Sequence, residues 1–189
     1  MTTRPSSPPH RYVALLRAIN VGGHVVKMDV LRTAFSALRF TDVETFIASG
    51  NVLFTASTAD RAALERTIEQ RLEKTLGYDV GTFLRTPAEL CALVTSLPFS
   101  ERELDGCTLT IAFLKREPAA AAAERVRRLC TDDDALVVRD RELFWRCRGR
   151  TSDSKVWRTP MERVIGVSGT FRNVTTVRKL AAKTAGVPQ

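Results

Sequence analysis

Arg17, Asn20, Gly22, Gly23 and Lys27 fall within one short stretch, RAINVGGHVVK, and their types are those of an anion site. Adjacent glycines reach positive φ, so successive backbone N–H groups can turn toward one point. Such a nest ahead of a helix N-terminus holds phosphate or carboxylate oxygens. Arg17 and Lys27 offer countercharge there, and Asn20 a neutral donor. A second turn, Ser49-Gly50-Asn51, repeats the pairing of glycine with small polar groups. The plainer alternative is a tight strand-to-helix connection and an ordinary hairpin, with the Arg17 stem lying along a strand end. No Walker or dinucleotide fingerprint accompanies either stretch. His24 and Asp79 are the general bases nearest to hand, and nothing in their spacing marks either for that role.

The elements that must position these residues follow from periodicity. YVALLRAI (12–19) is a short apolar run bounded by turn residues and reads as a buried strand. Beyond Lys27 the period becomes helical, with Met28, Leu31, Phe35 and Leu38 on one face. DVETFIAS and NVLFTAS are strand-like runs separated by a Gly50-Asn51 hairpin signal. A helix carrying Leu64, Ile68, Leu72 and Leu76 stops at Gly77, and DVGTFLRT supplies a fourth strand. The order is βαββαβ, the ferredoxin-like arrangement. In it the first and third strands are antiparallel neighbours, so Asn20 and Asn51 should share one rim of the sheet, with the Gly77-Tyr78 loop beside them.

Thr86-Pro87-Ala88-Glu89 is a capping box that opens a linking helix, closed by Pro98. The pattern then begins again: strand CTLTIAFLK, an Ala-rich helix over 118–130, the hairpin ALVVRD/ELFWRCR, a helix over SKVWRTPMERVIG that Pro160 kinks or starts, and a short strand near 167–171. A last helix covers about 174–185. The expected fold is α+β, two ferredoxin-like βαββαβ-type subdomains with an extra C-terminal helix. The expected division is a disordered tail over 1–11, an N-terminal subdomain over 12–86, a linking helix and loop over 87–106, and a basic C-terminal subdomain over 107–189. A single doubly wound sheet fits worse, because both halves contain hairpins.

Composition narrows the chemistry. Cys91, Cys107, Cys130 and Cys147 form no Cys-x-x-Cys pair, and with only His10 and His24 beside them no zinc spacing can be assembled. They read as buried structural thiols. Asp132-Asp133-Asp134 lacks the further ligands of a calcium loop and reads as a turn. No metal and no cofactor is expected. No apolar run approaches the roughly 18 residues needed to cross a bilayer, and MTTRPSSPPH has no signal-peptide h-region. The expectation is a cytoplasmic protein without a membrane partner.

The net charge of +8 resides wholly in the C-terminal part, where residues 135–189 hold 12 Lys and Arg against 4 Asp and Glu. That segregation suits an anionic partner, a nucleotide or nucleic acid. A bias of composition toward arginine accounts for the abundance equally well. An RNA-recognition module would stack bases on aromatics of its first and third strands, but Tyr12 and Phe54 come with no basic-Gly-aromatic run. Phe144, Trp145 and Trp157, interleaved with Arg146, Arg148, Arg150 and Arg158, are a better stacking-plus-charge pattern. Core packing of Phe144 and one tryptophan explains most of it.

YVALLRAINVGG, then KM and TFIASGNVLF, and TFRNVTTVRKL near the far end, resemble the bacterial family of domain of unknown function 1697. The likeness spans about Tyr12 to Leu180. The family usually has Gly at Ala18 and at Arg39, Tyr at Phe46, and Trp-Asn at Val174-Thr175. The resemblance implies paired ferredoxin-like subdomains and no established activity, cofactor or catalytic residue. Its motifs fall on Arg17, Asn20, Gly22, Gly23, Ser49, Gly50, Asn51, Arg172 and Asn173. The last two stand at a helix start, as a second anion contact or as a cap. Three functions are therefore expected to compete. The first is a binding module for a nucleotide or nucleic-acid phosphate on the rim of the 20–24 and 49–51 loops. The second is an enzyme acting on a small phosphorylated or carboxylated substrate there. The third is a structural or partner-binding protein with no ligand.

Overall fold

The computed structural model describes residues 9–20, 23, 25–47 and 50–185. Two four-stranded sheets are built from it, and the chain divides into two compact units, the second running from Leu90 to Ala182 and the first comprising the rest.

In the first unit the order is β1 (His10–Leu16), α1 (Met28–Ser36), β2 (Thr41–Thr45), β3 (Asn51–Ala56), α2 (Arg61–Leu76) and β4 (Thr82–Arg85). The strands lie in the order β2-β3-β1-β4, all antiparallel, which is the ferredoxin-like sheet. Alternation on β1 and β3 turns Tyr12, Ala14, Leu16, Val52, Phe54 and Ala56 onto the helices, against Leu31, Phe35, Leu64, Ile68 and Leu72. Phe54 lies 4.5 Å from Phe40 and 5.3 Å from Phe35, an aromatic centre to this core. Val13, Leu15, Leu53 and Phe83 on the opposite sheet face are buried as completely. Burial on both faces is why β1 reads as an unbroken apolar run. Strand β1 starts at His10, inside the segment expected as tail, and residues 1–8 lie outside the described residues.

After α3 (Pro87–Thr95) and α4 (Glu101–Leu104) come β5 (Cys107–Leu114), α5 (Ala120–Arg127), β6 (Asp134–Arg139) and β7 (Glu142–Arg148). Two 3-10 turns (Thr151–Asp153 and Lys155–Arg158), α6 (Met161–Ile165), β8 (Gly169–Asn173) and α7 (Val174–Thr184) complete the chain. The second sheet is ordered β6-β7-β5-β8, the same topology. Its core joins Ala112, Leu114, Leu143 and Trp145 to Val126, Met161 and Ile165. Of the two roles expected for Pro160 within 154–166, a kink or a start, it takes the second: a 3-10 turn precedes it and α6 begins at Met161, because Pro160 lacks the N–H that a helix interior needs.

The two units share details below the level of topology. Leu16 N–H donates to Gly50 O at 2.7 Å and Arg17 N–H to Gly81 O at 2.8 Å; in the second unit Leu114 N–H donates to Arg141 O at 2.8 Å and Lys115 N–H to Ser168 O at 3.0 Å. Each outer strand next to β1 or β5 leaves amides pointing away from the ladder, and helix glutamates take them. Glu65 and Glu69, one turn apart on α2, accept from Leu84 and Thr82 at 2.9 and 2.8 Å. Glu162 accepts from Gly169 at 3.1 Å. This satisfies edge donors that would otherwise be open to another strand. Arg85 pairs in register with Val13, and Arg172 with Ile111. Both arginines are buried, and each donates to the carbonyl of the residue before it, at 2.9 and 2.8 Å.

Candidate functional site

The rim of the first sheet is where β1 leaves it. Leu15 pairs with Asn51, and the next two amides, of Leu16 and Arg17, donate to Gly50 and Gly81. The β1–α1, β2–β3 and α2–β4 connections therefore meet within two residues of chain. Tyr78 ties the third of them in, its hydroxyl donating to Ala18 O at 3.4 Å. Burial raises the Tyr78 pKa, which keeps this phenol a neutral donor.

Gly50 is the contact point. Its φ of +71° is left-handed, and a Cβ built there would lie 2.8 Å from Ile19 Cβ and 3.2 Å from Leu16 Cβ. Only glycine allows the β2–β3 loop to press this closely on the residues leaving β1. The two-residue Gly50-Asn51 turn that the sequence suggests is corrected. Phe46 N–H donates to Asn51 O at 2.9 Å, so the loop spans 46–50 and Asn51 opens β3. Asn51 is fully buried and its amide donates to Phe46 O at 3.0 Å, clasping the loop shut. Asn20 does the same for the first loop, its Oδ1 accepting from Val26 N–H at 2.7 Å.

The backbone here is strained. Ala18 (φ 62°), Asn20 (φ 55°) and Ile47 (φ 58°) join Gly23 (φ 88°) and Gly50 in the left-handed region. Each non-glycine residue there costs about 1–2 kcal/mol, and the β-branched Ile47 is the most unusual of them. Arg39 (φ 60°), just ahead of β2, is left-handed as well. Arg17 and Lys27 are exposed, as are Val25 (88%) and Ile47 (47%). Lys27 precedes α1, whose first turn has no side-chain cap. Gly22 and Ser49, with His24, lie outside the described residues.

The second unit supplies an internal comparison. There the strand-to-helix connection needs only residues 115–119, and the β6–β7 turn only Asp140 and Arg141. The first unit uses 17–27 and 46–50 for the same two connections. The same scaffold thus closes with short loops in one unit, one of them also left-handed at Asp140 (φ 52°), and with two longer ones in the other.

A cavity of about 340 Å³ opens between α2 and the 79–81 segment, lined by Arg66, Glu69, Gln70, Glu73 and Asp79 with Gly81. Two carboxylates in the C-terminal half of α2, Glu69 and Glu73, and Asp79 beyond the helix outnumber the Arg66 guanidinium and disfavour an anion in this cavity. Among the described residues no group of three or more His, Cys, Asp or Glu is arranged to hold a metal ion. No described helix is long and apolar enough to cross a membrane.

Arg172 and Asn173 belong to the second unit. Asn173 Oδ1 accepts from Thr175 N–H at 2.8 Å, the geometry of a cap on α7. Arg172 donates to Thr170 Oγ1 at 2.9 Å as well as to Phe171 O. Burial lowers its pKa to about 10, so it stays charged at neutral pH. Phe144 and Trp145 are core residues, with Trp145 Nε1–H donating to Asp134 Oδ1 at 2.7 Å. Trp157 is 63% exposed. The edge glutamates, Arg85 and its correspondence to Arg172 escaped the sequence reading. The signal for both was present, in acidic residues on an otherwise apolar helix face and in Phe83-Leu84-Arg85-Thr86 echoed by Thr170-Phe171-Arg172-Asn173.

Fold and rim together define a duplicated ferredoxin-like α+β protein whose first copy carries the elaborated edge. Residues 10–144 match the family described as Protein of unknown function (DUF1697), and the chain belongs to that family. Among solved structures it is similar to the conserved bacterial protein SP0830 from Streptococcus pneumoniae, at 25% identity and a TM-score of 0.75, over 94% of this chain and 99% of that one. Comparison with curated proteins yields no significant match.

Proposed function

We propose that the first-unit rim binds an anionic ligand carrying phosphate, a nucleotide or a nucleic-acid backbone. The observation that carries the reading is the contrast between the units: two long left-handed loops lie on one edge, touching through Gly50 and Ile19, where the second unit closes with short ones. Strained backbone of this kind persists where surrounding structure holds it and concentrates at ligand sites. Arg17 and Lys27 supply exposed positive charge at the two ends of the first loop. Asn20 and Asn51 are positioning residues in this reading, holding the loops rather than touching the ligand. No reaction is assigned to the rim.

The test is a thermal shift of the full chain with pyrophosphate, nucleotides and sugar phosphates. A ligand at 100 times its Kd stabilises the native state by about 2.7 kcal/mol. Arg17→Ala and Lys27→Ala should each weaken the shift. If every phosphate compound leaves the melting temperature unchanged, the reading fails. The exposure of Val25 and Ile47 favours a second reading, a docking edge for a protein partner. In that case Val25→Ser would abolish partner capture, and phosphate compounds would have no effect.

A further inference from the structure

We infer that the Trp157 face of the second unit is a stacking platform for single-stranded nucleic acid. The inference is independent of the rim, since it rests on other residues in the other unit. Trp157 and Trp145 are the two tryptophans of the chain. One is buried and hydrogen-bonded, while the other projects into solvent from the Lys155–Arg158 turn.

That turn is fastened from beneath. Buried Asp134 takes the Trp145 indole on Oδ1 and the Ser154 hydroxyl on Oδ2, at 2.8 Å. Ser154 Oγ in turn accepts from Val156 N–H at 3.0 Å, and the Val156 side chain is buried. Trp157 is therefore an aromatic surface on an anchored turn, exposed while its neighbour fills the core. An indole held this way loses little freedom when a base stacks on it.

The surrounding charge suits phosphate. In a 3-10 turn side chains three apart eclipse one another, so Lys155 and Arg158 share an edge flanking the indole. Arg148, Arg150 and Arg163 are exposed in the same segment, and these cations outnumber the exposed Asp153 together with Asp132 and Asp133, of which Asp133 accepts the Arg148 N–H on its carbonyl. An aromatic face among cations is the arrangement that binds single strands with little sequence preference, by stacking on bases and tracking the backbone. A duplex keeps its base faces inside and offers no partner to the indole.

The experiment titrates the full chain with oligo(dT) and with oligo(U) at 50 mM salt, by tryptophan fluorescence and by anisotropy of labelled oligonucleotide. Stacking should quench Trp157 emission. Trp157→Ala should weaken anisotropy-measured affinity on the order of tenfold or more, and Trp157→Phe should recover part of the loss. Lys155→Ala and Arg158→Ala should each lower the salt dependence by about one unit of slope. Tighter binding of oligo(U) would make RNA the partner, and tighter binding of oligo(dT) DNA. Absence of binding, binding unchanged in Trp157→Ala, or binding abolished only by Arg17→Ala and Lys27→Ala would overturn the inference; the last would leave the rim reading standing.

Discussion

Replacing Gly50 by alanine tests the contact on which the rim depends. The φ of +71° imposes about 1–2 kcal/mol on any L side chain. The narrower unfolded ensemble of alanine returns about 0.4–1 kcal/mol. The new methyl must also fit 2.8 Å from Ile19 Cβ and 2.9 Å from its Cγ1, and forced overlap of this kind costs about 1–3 kcal/mol. The expected destabilisation is about 2–4 kcal/mol. Gly23 is the matched control, with a φ of +88° but nothing within 4 Å of a Cβ. Gly23→Ala should cost only the conformational part, about 1 kcal/mol. The assay is urea unfolding by circular dichroism, where midpoints at equal slope report the difference. A gap of about 2 kcal/mol also separates melting temperatures by about 4–8 °C in a chain of this size. If the two variants unfold within about 0.5 kcal/mol of each other, the loops do not press together and the rim argument loses its geometry.

Ala18→Gly and Arg39→Gly should each stabilise the protein by about 0.5–1 kcal/mol, since relief of left-handed strain exceeds the entropy glycine adds to the unfolded chain; a drop in urea midpoint would contradict this. Thr86→Ala should cost about 1 kcal/mol, because Thr86 Oγ1 accepts from Glu89 N–H at 3.2 Å while the Glu89 carboxylate accepts from Thr86 N–H at 2.7 Å. Burial works to raise the Glu89 pKa, but the Thr86 amide and Arg61 outweigh it and hold the pKa below its ordinary 4.5. The Glu89 contribution is therefore complete above that value and lost as pH falls through the lower folded one; Glu89→Gln should flatten this part of the acid unfolding curve. Burial, then the Asp134 carboxylate, pushes the Cys147 thiol up to about 11. At pH 8 a thiol reagent should label exposed Cys130 first and Cys147 only on unfolding; early labelling of Cys147 would refute its burial.

Local chemistry made much of the fold legible. Thr86 to Glu89 forms the capping box its spacing announces, and Gly77 ends α2 in the left-handed conformation. Recurrence at every fourth residue placed Leu64, Ile68 and Leu72 in the core. What escaped were decisions made by partners several residues away. Gly50-Asn51 carries a turn signal, yet the Phe46–Asn51 pairing sets the loop. In the 154–166 segment the start at Pro160 was legible, but the 3-10 turn fastened by Ser154 ahead of it was not. The approach of Gly50 to the residues leaving β1 followed from strand order alone, because antiparallel neighbours must bring the end of β1 to the start of β3. The roles of Asn20 and Asn51 did not follow, since whether an amide faces solvent or clasps its own loop depends on a carbonyl or N–H that spacing does not reveal. The repeat itself lies in hydrogen-bond positions more than in residue identity. Glu69 and Glu162 do the same work on β4 and β8 from dissimilar helices.

Amide chemical shifts of the isotopically labelled full chain during a pyrophosphate titration address the rim most directly. The account predicts saturable shifts in residues 17–27 and 46–51, with the 115–119 and 140–141 connections of the second unit unmoved. A spectrum that stays unchanged to millimolar pyrophosphate, or one that moves equally in both units, would contradict it.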